Sequence, residues 1–120
     1  MGVKDRLRKM TAPVAELDRE KLREYCSRFE DVTTIAELQP RQERTVVGEI
    51  SSLRIVPRPD GVPWLEATIS DGTGHLTVMW TGRRRIAGVT AGKRLLVTGR
   101  GSPTGPGGRL LIYNPRYQLL

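Results

Sequence analysis

Residues 44–80 read RTVVGEISSLRIVPRPDGVPWLEATISDGTGHLTVMW, and apolar side chains alternate with polar ones along most of this stretch. Alternation with a period of two predicts strands that bury one face. Pro59-Asp60-Gly61 and Asp71-Gly72-Thr73-Gly74 are turn sequences, so they divide the stretch into separate strands. The predicted strands are 44–57, 64–71 and 75–80.

The first predicted strand is long, and its pattern is broken in the middle. Gly48 interrupts it, and the apolar parity changes between Ile50 and Leu53. A glycine and a parity slip inside a long strand predict a β-bulge and a sharp bend. A strand that bends in this way contributes to two sheets.

Parity divides the second and third strands into an inward and an outward face. The predicted inward side chains are Leu65, Ala67, Ile69, Leu76, Val78 and Trp80. The predicted outward side chains are Trp64, Glu66, Thr68, Ser70, His75, Thr77 and Met79. Trp80 is therefore interpreted as a structural residue.

The rest of the C-terminal half predicts two more strands, 93–100 and 109–114. The connection 81–91 precedes them, with one helical turn expected at 84–87, and the glycine- and proline-rich loop 101–108 joins them. Five short strands, a bent first strand and a connection after the third are typical of an all-β, five-stranded Greek-key barrel of the OB type. An SH3-like barrel is the alternative.

The N-terminal third has a different, helical period. Residues 1–10 are predicted to form a basic arm, and apolar residues recur at near-helical spacing from about Pro13 to Phe29, which predicts an amphipathic α-helix. Packing on the chain's own barrel is favoured for its apolar stripe, and docking on a partner or self-association through helix 13–29 is the alternative. Thr34 and Glu37 have the spacing of a capping box. The predicted division is an arm and helix over 1–33 and a barrel over 34–120.

Charge is distributed unevenly along the chain. The 120 residues carry a formal net charge of +7, and the stretch from Gly72 to Leu120 contains no aspartate or glutamate. Its cations are Arg83, Arg84, Arg85, Lys93, Arg94, Arg100, Arg109 and Arg116. A surface of one sign attracts a polyanion and releases counterions on binding it, so nucleic acid is the predicted partner.

Other classes of function receive little support from the sequence. Cys26 is the only cysteine and His75 the only histidine, which excludes an internal disulfide and a metal site of the histidine–cysteine type. We expect no cofactor and no enzymatic activity. No apolar run is long enough to span a bilayer and no apolar signal core follows the basic start, so a cytoplasmic location is expected.

Several short segments resemble a known family. They are Ile35-Ala36-Glu37-Leu38, Val47-Gly48-Glu49-Ile50, Ser70-Asp71-Gly72-Thr73-Gly74, Val78-Met79-Trp80, Ala91-Gly92-Lys93, Arg109-Leu110 and Asn114-Pro115. Over about residues 34–120 the chain resembles the OB-fold wedge domain of RecG-type branch-migrating DNA helicases, and the small stand-alone OB-fold proteins related to it. The resemblance implies an OB barrel that binds DNA.

The chain departs from that family in two respects. The resemblance implies aromatic side chains just after the third strand, which stack on unpaired bases of a fork, whereas this chain has Thr81 and Arg85 there. Strand separation is therefore not implied. The segment 88–94 is the nearest approach to a phosphate-binding loop, but it is one residue short and has arginine where serine or threonine must bind magnesium.

The predicted function is non-enzymatic binding of single-stranded or branched DNA with weak sequence selectivity. RNA remains open as the ligand, and a protein-interaction module is the alternative function. The candidate nucleic-acid-binding residues are Arg58, Trp64, Thr68, His75, Thr77, Arg83, Arg84, Arg85, Lys93, Arg94, Arg100, Arg109 and Tyr113.

Aromatic and arginine side chains carry this prediction. Trp64 is the main candidate for stacking on a base, the alternative being that it covers the barrel mouth against Pro63. Tyr113 offers a second platform unless it packs against the N-terminal helix. Arginine guanidinium groups match phosphate oxygens in shape, so the run 83–85 is expected to contact the backbone of the ligand.

Overall fold

The computed structural model of this protein describes residues 16–107 and 109–120. Its elements are the helix α1 (16–27), a 3-10 turn (Ile35–Glu37), and the strands β1 (Glu43–Val56), β2 (Trp64–Ser70), β3 (His75–Thr81), β4 (Arg94–Thr104), β5 (Arg109–Tyr113) and β6 (Arg116–Leu119). The predicted basic arm and the predicted helix start at Pro13 lie outside the described residues. Among the described residues, none of the helices has the length and hydrophobicity of a membrane-spanning segment.

Five strands form a closed ring in the order β1-β2-β3-β5-β4, and β4 pairs back with β1. All of these pairings are antiparallel except β3 with β5, which is parallel. A closed five-stranded ring with this connectivity is the OB fold. The predicted all-β barrel with an N-terminal helix is confirmed.

The bent first strand joins the two halves of the ring. Residues Glu43–Glu49 of β1 pair with β4, and Glu49–Val56 pair with β2. The register shifts between Ile50 and Ser52, which places a bulge where the parity of the sequence changes. A β-carbon at Gly48 would stand 3.2 Å from the carbonyl oxygen of Ser70, so glycine permits the close approach at the bend.

The core fills the ring with the side chains that parity assigned to it. All six predicted inward residues of β2 and β3 are buried. Ile86 and Val89 of the β3–β4 connection join the same cluster. The helical turn predicted at 84–87 is wrong: the segment is irregular. The backbone of this segment follows the path that buries Ile86 and Val89 in the barrel, because the free energy of apolar burial outweighs a weak local helix propensity.

The end of the chain differs from the prediction in two ways. β4 continues to Thr104, so half of the predicted loop 101–108 is strand paired with β5. β1 pairs with β4 only as far as Arg100, which leaves Pro103 in a part of β4 where a missing N–H is tolerated. The chain also forms β6, which was not predicted. It pairs with β4 and places the Tyr117 ring edge-to-face with Trp80, with ring centroids 5.8 Å apart.

The predicted capping box at Thr34 and Glu37 is wrong. The Thr34 hydroxyl donates to Glu37 Oε1 at 2.8 Å, and neither side chain caps the backbone. The β2–β3 turn caps the 3-10 turn instead. Asp71 Oδ2 accepts from the Ile35 N–H at 2.8 Å, and the Thr73 hydroxyl oxygen accepts from the Ala36 N–H at 3.1 Å.

We expect Asp71→Ala to destabilise the protein by about 1–3 kcal/mol. Asp71 is only 3% exposed, and its Oδ1 also accepts from the N–H and hydroxyl of Thr73. The substitution therefore leaves several hydrogen-bond donors without their acceptor. Urea unfolding followed by circular dichroism measures the loss. Asp60→Ala is the matched control, because Asp60 caps the Val62 N–H in an exposed turn. Equal effects of the two substitutions would contradict this role for Asp71.

Helix α1 packs on the barrel over the β2–β3 turn and β1, as favoured from the sequence. Cys26 is buried and shares a cavity of about 270 Å³ with Val47. Gly72 has φ +87°, and a β-carbon there would stand 2.7 Å from the carbonyl oxygen of Arg19. Any residue larger than glycine would therefore clash with α1 at this position. Burial, followed by the nearby Asp71 carboxylate, raises the pKa of the Cys26 thiol to about 11. The thiol therefore stays protonated at neutral pH, which fits a structural role.

Candidate nucleic-acid interface

One face of the barrel, formed by β2, β3 and β5, carries most of the side chains predicted to point outward. We call it the outer face, and its central residues are Trp64, Glu66, Thr68, Thr77, Met79, Leu111 and Tyr113. Cross-strand pairing orders them in rows: Glu66 is opposite Met79 and Met79 opposite Tyr113, while Thr68 is opposite Thr77 and Thr77 opposite Leu111. The register therefore places β2 and β5 side chains on either side of β3.

An aromatic pair occupies one end of the outer face. The rings of Trp64 and Tyr113 meet edge-to-face with centroids 6.0 Å apart and an interplanar angle of 82°. Trp64 is half-buried and Tyr113 is 46% exposed. Arg58, from the β1–β2 loop, holds its guanidinium carbon 3.9 Å from the centre of a Trp64 ring. We call Arg58, Trp64 and Tyr113 the aromatic cluster.

Asn114 positions Tyr113 beside β3. Its backbone adopts φ 47°, its N–H donates to the carbonyl of Met79 at 2.7 Å, and its Oδ1 accepts from the N–H of Thr81 at 2.9 Å. Its side chain thus continues the β3–β5 pairing past the last residue of β5. This role of Asn114 was not predicted from the sequence. The sequence contained one indication of it, because asparagine adopts positive φ more readily than most residues.

The middle of the outer face is a shallow surface with an apolar floor. Met79 has the predicted outward parity but is only 8% exposed, and Leu111 is equally buried at 7%. The side chains of Glu66 and Tyr113 flank Met79 on the two neighbouring strands of its row. Thr68 and Thr77 are half-buried cross-strand partners, so they leave a low, hydroxyl-bearing surface beside the aromatic cluster.

His75 lies at the opposite end of the strands from the aromatic cluster. It pairs with Ser70 and borders a cleft whose other wall is formed by Asp18 and Arg19 of α1. Ser70 is six positions along β2 from Trp64, which corresponds to about 20 Å. The structure therefore separates His75 from the other candidates of the outer face.

The arginine run 83–85 begins close to the aromatic cluster. Thr81, the last residue of β3, is the cross-strand partner of Trp64, and Gly82 lies beside Val62 of the β1–β2 loop. All three arginines are exposed. Arg84 and Arg85 border an open cleft of about 420 Å³ whose apolar wall includes Ile55, which is 52% exposed. The run thus extends the positive charge of Arg58 around the rim of the barrel.

The remaining candidate cations lie elsewhere. The Arg94 guanidinium carbon stands 4.2 Å from the centre of the Tyr25 ring, so this side chain packs against α1. Arg100 Nε donates to the carbonyl of Arg41 at 3.0 Å. Arg109 is exposed at the start of β5, and Lys93 is exposed in the turn that precedes β4. The structure therefore divides the predicted cations into a group near the aromatic cluster and others around the barrel.

Ion pairing leaves most of these cations available. Three ion pairs occur within residues 16–107 and 109–120, namely Arg28–Glu24, Arg54–Glu66 and Arg116–Glu43. Only Arg116 comes from the acid-free C-terminal stretch. Over the same residues, Arg58 and the run 83–85 make no ion pair, so their charge is free to meet an anion. The described ranges also hold no cluster of three side chains able to bind a metal ion.

No protein-family model and no curated protein sequence matches this chain. Solved structures do match it. The barrel is similar to the structure of RecG bound to a three-way DNA junction, with a TM-score of 0.63 and 23% identity. That match covers 72% of this chain but only 12% of the RecG chain.

Two archaeal structures are similar over most of their own length. One is a replication factor A related protein from Methanobacterium thermoautotrophicum, with a TM-score of 0.56 and 20% identity over 76% of this chain and 92% of that chain. The other is the second OB-fold domain of replication protein A from Methanococcus maripaludis, with a TM-score of 0.55 and 20% identity over 73% of this chain and 93% of that chain. These similarities confirm the OB fold and its likeness to part of RecG.

Proposed function

We propose that this protein binds single-stranded nucleic acid across the outer face of the barrel and acts without catalysis. The observation that carries the proposal is the aromatic cluster, with Trp64 and Tyr113 in contact and Arg58 stacked on Trp64. Single-strand binding needs flat side chains for bases and cations for phosphates. The cluster supplies both, and the run 83–85 begins beside it.

The arrangement suggests how the strand lies. A base that stacks on Trp64 takes the place of the Arg58 guanidinium, which is then released to a phosphate. Tyr113, nearly half exposed, offers its ring to a neighbouring base. Thr68 and Thr77 leave room for the strand to continue across the sheet. The phosphates on the rim side then face Arg83, Arg84 and Arg85.

DNA is the proposed ligand, and branched DNA is included. The likeness to a RecG structure that holds a three-way DNA junction supports this choice. Thr81 and Arg85 stand where the family resemblance implies aromatic side chains, so we propose binding without strand separation. The single cysteine, buried and protonated, is compatible with the reducing cytoplasm, where we place this activity.

A salt titration of binding tests the proposal. Fluorescence anisotropy with labelled single-stranded DNA, duplex, forked DNA and RNA gives an affinity for each at several salt concentrations. We expect the single-stranded and forked ligands to bind most tightly, with affinity that falls steeply as salt rises. An affinity independent of salt, or a preference for duplex, would contradict the proposed interface.

A protein-interaction module is the alternative function. Leu17 of α1 is 51% exposed, so the helix leaves apolar surface uncovered within the described residues. This surface is suited to docking on a protein partner or on a second copy of the chain. Failure of all four nucleic-acid ligands to bind at low salt would favour this alternative.

A further inference from the structure

Glu66 is an anomaly on the proposed interface. It is the only acidic side chain among the central residues of the outer face, and it lies two residues along β2 from Trp64. A carboxylate on a surface that binds phosphates costs affinity, because like charges repel. A role that uses the carboxylate as an acceptor would offset this cost.

The contacts of Glu66 leave part of the carboxylate open. Arg54 donates to Glu66 Oε2 twice, from Nε at 3.2 Å and from Nη2 at 3.1 Å. Within the described residues Oε1 has no hydrogen-bond partner. The Glu66 side chain is 21% exposed, whereas that of Arg54 is 71% exposed. The ion pair therefore holds the carboxylate in one orientation and leaves Oε1 able to accept.

The location of Glu66 brings it within reach of a stacked base. Side chains two residues apart on one face of a strand are about 7 Å apart, roughly the width of a base. Glu66 also shares its cross-strand row with Tyr113, through Met79. A base held by Trp64 or Tyr113 can therefore turn its hydrogen-bonding edge towards Glu66 and Arg54.

We propose that Glu66, oriented by Arg54, accepts a hydrogen bond from the exocyclic amino group of one bound base. This inference rests on the proposed function and assigns a preference at one position of the strand. Cytosine, adenine and guanine carry an amino donor, whereas thymine offers only carbonyl oxygens around its single ring N–H. The site thus disfavours thymine and uracil.

The test compares oligo-dC with oligo-dT of about twelve nucleotides at neutral pH, a length within the site size of one OB fold. We expect oligo-dC to bind about fivefold more tightly, the effect of one added hydrogen bond to a base. Glu66→Gln should bring the two affinities together, because the glutamine amide presents either a donor or an acceptor. Binding of oligo-dT by this variant should also strengthen, since a negative charge is removed.

Glu43→Gln is the matched control. Glu43 is also ion-paired with an arginine, Arg116, but lies on the part of β1 that pairs with β4. The Glu43→Gln variant should leave the ratio of the oligo-dC and oligo-dT affinities unchanged. Equal binding of both oligonucleotides by the parent protein, or a ratio that persists in Glu66→Gln, would overturn the inference while leaving the proposed function intact. If the parent protein binds neither oligonucleotide, both this inference and the proposed function are wrong.

Discussion

Replacing Arg83, Arg84 and Arg85 together by alanine is expected to weaken binding to single-stranded DNA about 100-fold at about 0.1 M salt. Each arginine that neutralises a phosphate on a single strand adds about 0.7 to the slope of log affinity against log salt. Three such contacts therefore account for a slope of about 2 and, at this salt concentration, about 3 kcal/mol. The slope and the affinity are both measured by anisotropy titration at several salt concentrations.

A control with the same change in charge separates contact from general attraction. Lys21 is exposed on α1, Arg28 directly after it and Arg44 on the first half of β1, all outside the outer face. Their combined replacement by alanine also removes three positive charges, and it should reduce affinity only through the weaker long-range field. If the two triple variants lose affinity equally, the run 83–85 has no special place in the interface.

Replacing Trp64 and Tyr113 together by alanine is expected to cost about 2–6 kcal/mol of binding free energy. Stacking on one aromatic side chain contributes about 1–3 kcal/mol per base, and this pair offers two rings at the same end of the outer face. Unlike the arginine variant, this one should keep the salt dependence of the parent protein, because no phosphate contact is removed. The measurement is again an anisotropy titration, with thermal unfolding recorded for each variant.

The chain provides a matched control for the aromatic variant. Tyr25 on α1 also lies under a guanidinium, that of Arg94, at a distance similar to that between Arg58 and Trp64. Tyr25→Ala thus removes an arginine–aromatic contact away from the outer face, and it should leave DNA affinity within about twofold of the parent, since surface changes away from a site have small effects. A loss in Tyr25→Ala equal to that in the double Trp64 and Tyr113 variant would show that the outer face is not the binding surface.

Much of the barrel was predictable because its signals are local. The alternation from Trp64 to Trp80 correctly assigned the six residues of β2 and β3 that form the core cluster, since neighbouring side chains of a strand point to opposite faces whatever the partner strand is. It did not predict the burial of Met79 on the outer face, which depends on the neighbouring strands. The bulge in β1 was predictable for the same reason, because a change in the parity of the apolar residues is visible in the local sequence of the strand. The acid-free stretch from Gly72 onwards was visible from composition alone.

The predictions that failed were those in which a distant partner outweighs a local preference. The segment 101–104 is rich in glycine and proline, yet it forms strand because β5 lies beside it. Thr34 and Glu37 have the spacing of a cap, yet Asp71 of the β2–β3 turn caps Ile35. β6 is only four residues long, so its sequence contains no clear strand pattern. It forms a strand because it pairs with β4.

The sequence by itself determined the chemistry available to this protein: a small barrel core, one buried thiol, and arginines in excess over acids. Only the tertiary structure decided which of these groups meet. Ring closure between β3 and β5 brings Tyr113 to Trp64, and the β1–β2 loop lays Arg58 on Trp64, while Arg94 is taken by α1. Periodicity fixes the face of a side chain within its own strand, but neighbours across a barrel depend on strand order and register, which are properties of the whole ring.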